Sequence, residues 1–390
     1  MRILIVGAGI AGPTLAYWLR RDGHQVTLVE SAPQLRKGGY VVDFWGAGSE
    51  VAERIGLIPR LMREGYVIKE LREVSAGGWT LARVNPAKMI DAAGGRYVSI
   101  ARADLAAAIY DCLDDDVETI FGDTVAALDD DGQRVRVDFA HSESREFDLV
   151  FGADGLHSKV RSLVFGPEAD FERHVGLVVC ALELEGYRPR NELVAVTHTT
   201  IGVQTMRSSL HHDATLVLFT FRDDRPIPFH DVAAQQELLR TRLHGIGGEV
   251  PNILEYLPKA KSFYMDRASQ IRMPTWSRGR VALLGDAAAA PSLLAGQGSA
   301  LAMVGAYVLA AQLRRTQGNH QQAFAAYQRQ LQPMIQDKQD AALQLDIAFA
   351  PKDRKQLYMR NATIRLMGLP FVSKLVMARS LRDPIELPSW

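Results

Sequence analysis

The chain has 390 residues, 47% of them apolar, enough to bury a full core and to form two or three domains at about 150 residues each. Lys plus Arg number 45 and Asp plus Glu 45, so the formal charge is zero and polyanion binding is excluded as the main role. The two cysteines, Cys112 and Cys180, lie far apart with no C-x-x-C, which excludes a disulfide framework, a dithiol redox centre and a zinc site of the usual spacing, and fits a reducing compartment.

Arg2 and the largely apolar stretch 3–19 have the outline of a secretory signal, but Gly7, Gly9 and Gly12 interrupt it. It then runs into Arg20, Arg21 and Asp22 without a small-x-small cleavage pattern. No window approaches about 18 uninterrupted apolar residues, so no membrane span is predicted and a soluble cytoplasmic protein is expected. The same stretch reads as a strand over 3–6, a tight turn over 7–12 and a helix over 14–21. Pro13 falls in the first helical turn, where its missing N–H costs little. Gly23 ends the helix and Gln25–Glu30 is a second strand, completing a parallel β-α-β unit.

From 69 to 97 the pattern is short and broken, with Gly77, Gly78, Gly94 and Gly95 as turn signals. Helical spacing returns over 102–113. A strand-rich block from about 175 to 224, with strands over 177–184, 193–206 and 215–221, predicts a second domain built on its own sheet. The β-α style resumes at Arg280, with a strand over 281–284, a small-residue loop over 285–298 and a helix presenting Leu301, Val304 and Val308. The nucleotide domain is therefore expected from separated pieces, 1–70, 97–172 and 270–350, with 71–96 and 173–269 forming the second domain. Beyond Ala350 the chain turns basic, and 351–390 is expected to be helical, with a solvated face favoured over attachment to a membrane surface.

Gly7-x-Gly9-x-x-Gly12, with Ile10 and Ala11 inside it, gains meaning from context: it follows a strand, opens a helix, and precedes Glu30 at the next strand end. That geometry binds a dinucleotide: Gly7 permits the turn, Gly9 lets backbone approach a pyrophosphate, Gly12 allows close packing, and the carboxylate reads a ribose. Two further strands end in acid-glycine pairs. One leads through Asp154-Gly155 to Ser158 and Arg161, although Asp-Gly is also a common turn pair. The other ends in Gly285-Asp286 and leads to Gly296-Gln297-Gly298. A helix starting near Gly298 would aim its positive end at whatever lies above, while simple packing of glycine against a strand would use the same residues.

These three ordered motifs resemble the class A, single-component flavoprotein monooxygenases, the para-hydroxybenzoate-hydroxylase-like family that includes aromatic polyketide hydroxylases and tetracycline-inactivating monooxygenases. The resemblance runs from residue 1 to about 350. It implies a Rossmann-like, discontinuous α/β FAD-binding domain of the GR2 type, a β-sheet substrate domain over the flavin, and C-terminal helices. It assigns the ADP half of FAD to the first motif with Glu30 and Ser31, and the flavin nucleotide to Arg102 of the Arg-x-x-Leu helix start. Asp286 with Gly285 falls to the ribityl or pyrophosphate region. Asp154, Gly155 and Arg161 fall to FAD and NAD(P)H together. Lys37-Gly38-Gly39 falls where backbone nears the isoalloxazine ring, and Gly296, Gln297 and Gly298 beneath it.

The reaction implied is NAD(P)H- and O2-dependent hydroxylation of an aromatic or polycyclic small molecule through a flavin C4a-hydroperoxide. The cofactor carries the chemistry, so no side-chain nucleophile or metal is required. An epoxidase, desaturase or oxidase on the same scaffold is the alternative, and a non-catalytic flavin or small-molecule binding protein ranks below it. Ala289 and Leu293 depart from the His and Pro common in relatives, with Pro291 displaced. There is no Trp-x-Trp-x-Ile-Pro stretch and no second Gly-x-Gly-x-x-Gly, which disfavours halogenases and enzymes with two dinucleotide domains. Met206, Phe221, Arg222 and Pro291 are the candidate substrate contacts. The pair His211-His212 points in opposite directions on a strand and is not expected to hold a metal.

Overall fold

The computed structural model of the protein describes residues 1–35, 41–86, 97–113, 115–187, 189, 192–210, 214–228, 231–367 and 385–390. Two large sheets organise the chain. The first has six strands in the order Ser277–Arg278, Val281–Leu283, Leu149–Gly152, Arg2–Val6, Gln25–Glu30 and Glu118–Phe121. Only the first pair is antiparallel, and the rest run parallel. Parallel strands are buried on both faces, and here the continuous apolar runs Ile3–Val6 and Leu149–Phe151 are buried without alternation. The helices Ala11–Arg21, Gly298–Arg315 and His320–Leu343 share that core, where the Trp18 and Tyr307 rings meet edge-on with centroids 4.9 Å apart.

The second sheet has seven strands, ordered Ser262–Ile271, Glu172–Glu185, Ala214–Arg222, Val203–Ser209, Val194–Thr200, Glu70–Val74 and Thr80–Val84. The strand expected over 193–206 is two antiparallel strands, turning at Ile201 and Gly202, where Gly202 takes φ +75°. A run of β-branched residues hid that single turn. One face carries Val178, Cys180, Val217, Phe219 and Phe221 and packs on the helices Val232–Leu243 and Val250–Tyr256 through Leu239, Leu243 and Ile253. The opposite face, with Leu177, Val179 and Leu218, packs toward Leu293, Leu294 and Ala350. We call it the front face.

Glutamine side chains tie the edge strand Ser262–Ile271 of the second sheet to the helix His320–Leu343 and to Ala290, which pack on the first sheet. Gln270 donates to the Gln339 carbonyl at 2.6 Å, and Gln339 donates to the carbonyls of Ile271 and Ala290 at 2.8 and 3.0 Å.

The helix Arg354–Met367 agrees with the helical reading of the C-terminal part, whereas residues 385–390 form no helix. They return to the first helix instead. The Trp390 ring lies 4.5 Å from that of Trp18, and the Tyr307 hydroxyl donates to the Pro388 carbonyl at 2.6 Å.

The basic residue Arg360 is not a solvated surface charge. Its guanidinium is buried and makes two bonds to Glu73, at 2.8 and 3.0 Å, while Nε donates to the Ala348 carbonyl at 2.8 Å. Thr197 Oγ1 donates to the same carboxylate at 2.6 Å. Removing one member of a buried pair leaves the other charge unpaired. Arg360→Met is therefore expected to cost about 3–5 kcal/mol in chemical denaturation, and Glu73→Leu/Arg360→Met distinctly less than Arg360→Met alone.

Candidate functional site

Parallel register brings the three sequence motifs together. Val6 is paired with Gly152, Gly152 with Leu283, and Val6 with Val29, so four neighbouring strands finish level. The residues that follow this level, Gly7, Ala153-Asp154, Leu284-Gly285 and Glu30, the last residue of its strand, therefore emerge along one edge. In open α/β sheets the carboxyl-terminal edge is where ligands lie.

At the centre, Gly7 has φ +105° and Gly7 N–H donates to the Val29 carbonyl at 2.7 Å. A Cβ on Gly12 would lie 1.9 Å from the Gly7 carbonyl oxygen, so only glycine lets the helix begin this close to the loop. Ile10 and Ala11 are buried as the helix starts, and Thr14 Oγ1 donates to the Ile10 carbonyl at 2.7 Å. A Cβ on Gly9 would approach only Arg102 Nη2, at 4.0 Å, so the loop crest is open beneath that guanidinium. Glu30 Oε2 accepts from Ala8 N–H at 2.9 Å, while Oε1 accepts from Ala32 N–H at 2.9 Å and Ser31 Oγ at 3.2 Å. The carboxylate is thus fixed at the side of the loop.

Gly285 caps the short helix Asp286–Ala289, and a Cβ there would lie 3.2 Å from the Cβ of Ala11, so the first and third motifs touch. Burial pushes the Asp286 carboxyl up, and the Arg102 guanidinium works against that shift. Gly296 is left-handed, Gln297 is buried, and the helix Gly298–Arg315 begins with a Cβ position 3.7 Å from Asp286 Oδ1. That helix start is held by Gly48, which was not singled out from the sequence. A Cβ on Gly48 would lie 2.6 Å from Ala300 Cβ, because the helix Ala47–Ile55 crosses there at backbone contact. Only the recurrence of small residues on both helices signals it.

Asp154 accepts from Ser158 Oγ at 2.6 Å and from Val160 N–H at 3.0 Å, while Ser158 accepts from Arg161 N–H at 2.9 Å. Burial pushes the Asp154 carboxyl up against those bonds. Arg161 is fully buried: Nη1 donates to the Ala287 carbonyl at 3.0 Å, and Nη2 donates to the Leu156 carbonyl and to Glu168, both at 2.6 Å. Its visible role is to tie the second motif to the third. Glu168 had no sequence signal, since it lies in an ordinary polar turn after Pro167.

Of the substrate candidates, Met206 is on the front face, paired with Leu218 and Thr197. Phe221 is corrected: strand alternation turns it to the opposite face, 1% exposed, beneath the helices. Arg222 is corrected as well, because Nε donates to the Ala350 carbonyl at 2.6 Å and Nη2 to Asp346 at 2.9 Å, a structural tie. Pro291 is buried, and its carbonyl accepts from Gln270 at 3.3 Å. Lys37, Gly38 and Gly39, and the pair His211-His212, lie outside the described residues. Among the described residues no helix is long and apolar enough to cross a membrane, and no group of three or more His, Cys, Asp or Glu could hold a metal ion.

A family model described as an FAD binding domain matches residues 1–342, and a flavin-dependent monooxygenase from an unknown prokaryotic organism is 32% identical over 393 residues, covering 100% of this chain and 99% of its own. The chain belongs to the FAD-dependent monooxygenases. The crystal structure of tetracycline destructase Tet(55) superposes with TM-score 0.84 at 30% identity, over 100% of this chain and 98% of that one. Klebsiella pneumoniae HpxO, complexed with FAD and uric acid, shares the fold with TM-score 0.82 at 23% identity, over 98% and 96% of the two chains. The protein is thus an FAD-dependent oxidoreductase with the fold that its three motifs implied.

The glycine crest, the fixed carboxylate and the helix start form a cradle suited to an FAD dinucleotide. Glu30→Gln is expected to weaken FAD binding about tenfold, measured by flavin fluorescence titration, with the melting temperature of the FAD-free protein moved by no more than about 2 °C.

Proposed function

We propose that the protein uses NAD(P)H and O2 to hydroxylate an aromatic or polycyclic small molecule held between the nucleotide-sheet edge and the front face of the second sheet. The observation that carries this reading is the level finish of four parallel strands beside the Gly298 helix start, with Leu293 and Leu294 leading across to the front face. FAD, when bound, supplies hydride acceptance and the activation of dioxygen.

Gly7, Gly9, Ile10, Ala11 and Gly12 would accommodate the pyrophosphate, with Glu30 and Ser31 on the adenosine ribose. Arg102 and Gly285-Asp286 would hold the central part, and Gly296, Gln297 and Gly298 the flavin end, where helix amide hydrogens favour negative charge. Asp154, Gly155 and Arg161 would shape the cradle between them. Leu293 and Leu294 would exclude water from the cleft, and Met206 and Leu218 would give the front face an apolar surface, while the Thr197 hydroxyl beside them is committed to Glu73. Substrate class is supported by the tetracycline destructases and by the uric acid complex of HpxO.

Purified protein supplied with FAD is expected to show flavin absorbance and to consume NADH or NADPH faster when offered a substrate from a panel of phenols, polyketides and tetracyclines. Mass analysis should find a product heavier by one oxygen atom. Turnover with no oxygen gained would move the assignment to an oxidase or desaturase, and no flavin uptake would defeat it.

A further inference from the structure

One residue of the second motif remains without a part in the cradle. His157 is half-exposed, and its two ring nitrogens face carboxylates on different bodies: Nδ1 lies 2.9 Å from Glu168 Oε1, and Nε2 lies 3.2 Å from Asp266 Oδ2. Glu168 sits in the turn that follows the second motif, where Arg161 also holds it, and Asp266 lies on Ser262–Ile271, the edge strand of the second sheet. Asp266 is buried and further fixed by the Tyr264 hydroxyl at 3.1 Å and by Arg267 N–H at 2.7 Å. Two carboxylates meeting one imidazole require it to donate from both nitrogens, which only the imidazolium does.

We infer that His157 is a positioning residue for the proposed reaction: as an imidazolium it clamps the Asp154–Ser158 turn to the edge strand of the second sheet, and its deprotonation releases that clamp. The inference rests on the monooxygenase reading for its consequence in turnover, but not for the clamp itself. The glutamine bonds to Gln339 and Ala290 carry no titratable group, and beside them Arg272 joins Gln270 to Asp340, the latter at 2.6 Å, so among these ties the imidazole belongs to the His157 contact alone. The charged and titratable groups around the clamp are Glu168, Asp266 and Tyr264, with Arg161 and, near it, Asp154 and Glu172. Bonds to Asp266 and Glu168 push the imidazole up to about 10, against burial. Burial alone would raise Glu168, yet the His157 bond and the charges of His157 and Arg161 hold it below the usual range. A histidine raised in the folded state stabilises fully below its ordinary 6.5 and loses that contribution as pH rises to about 10.

The test compares wild type, His157→Gln, His157→Arg and Asp266→Asn, each loaded with FAD. Relative to wild type, His157→Gln should lower Tm by about 3 °C at pH 6.5 and by less than about 1 °C at pH 10, a modest shift because the ring is half-exposed. His157→Arg should restore most of the loss at both pH values. Asp266→Asn should reproduce it without adding to His157→Gln, and so decides the matter if His157→Gln fails to fold. In turnover, His157→Gln should lower product formed per NAD(P)H consumed about threefold, with FAD affinity within about twofold of wild type. A Tm loss that is equal at both pH values, or none at all, overturns the clamp. If wild type binds no FAD and oxidises no NAD(P)H, the monooxygenase reading fails while the Tm profiles still decide the clamp.

Discussion

Everything at the candidate site depends on parallel pairing between strands that are remote in the chain. Leu149–Gly152 lies between Arg2–Val6 and Val281–Leu283, and the level register of Val6, Gly152 and Leu283 puts three turns on one edge. A shift of one residue in any of these strands would reverse its faces and carry its turn off that edge. Burial on both faces of the sheet makes such a slip costly, so the apolar core that stabilises the strands also aligns the turns of the candidate site.

Side chains then work chiefly between segments. Arg161 spans from the second motif to the Ala287 carbonyl and to Glu168, and Glu30 braces the glycine loop through Ala8 N–H. These bonds are made by protein with protein. That is the arrangement expected of a preorganised site, where alignment is built in during folding.

The first β-α-β unit was legible in the sequence to within a few residues, because a glycine triplet between a strand and a helix has few other uses. The two acid-glycine strand ends were legible for the same reason. Which way side chains face on the second sheet was not. Phe221 and Arg222 are neighbours at a strand end, and alternation places one under the helices and commits the other to Asp346 and Ala350. Composition could not decide between the faces, since both are largely apolar. Contacts across long sequence separations, such as Glu73 with Arg360, left no local pattern to read. Their residues look like ordinary surface charges until the fold brings them together.

The meeting of Gly48 with Ala300 has a consequence for electrostatics at the mouth of the long helix. Two backbones in direct contact leave no side chain between them to change rotamer, so the helix axis is aimed by main chain alone. Its dipole therefore keeps a fixed orientation at the cleft, whatever charges are exchanged around the rim.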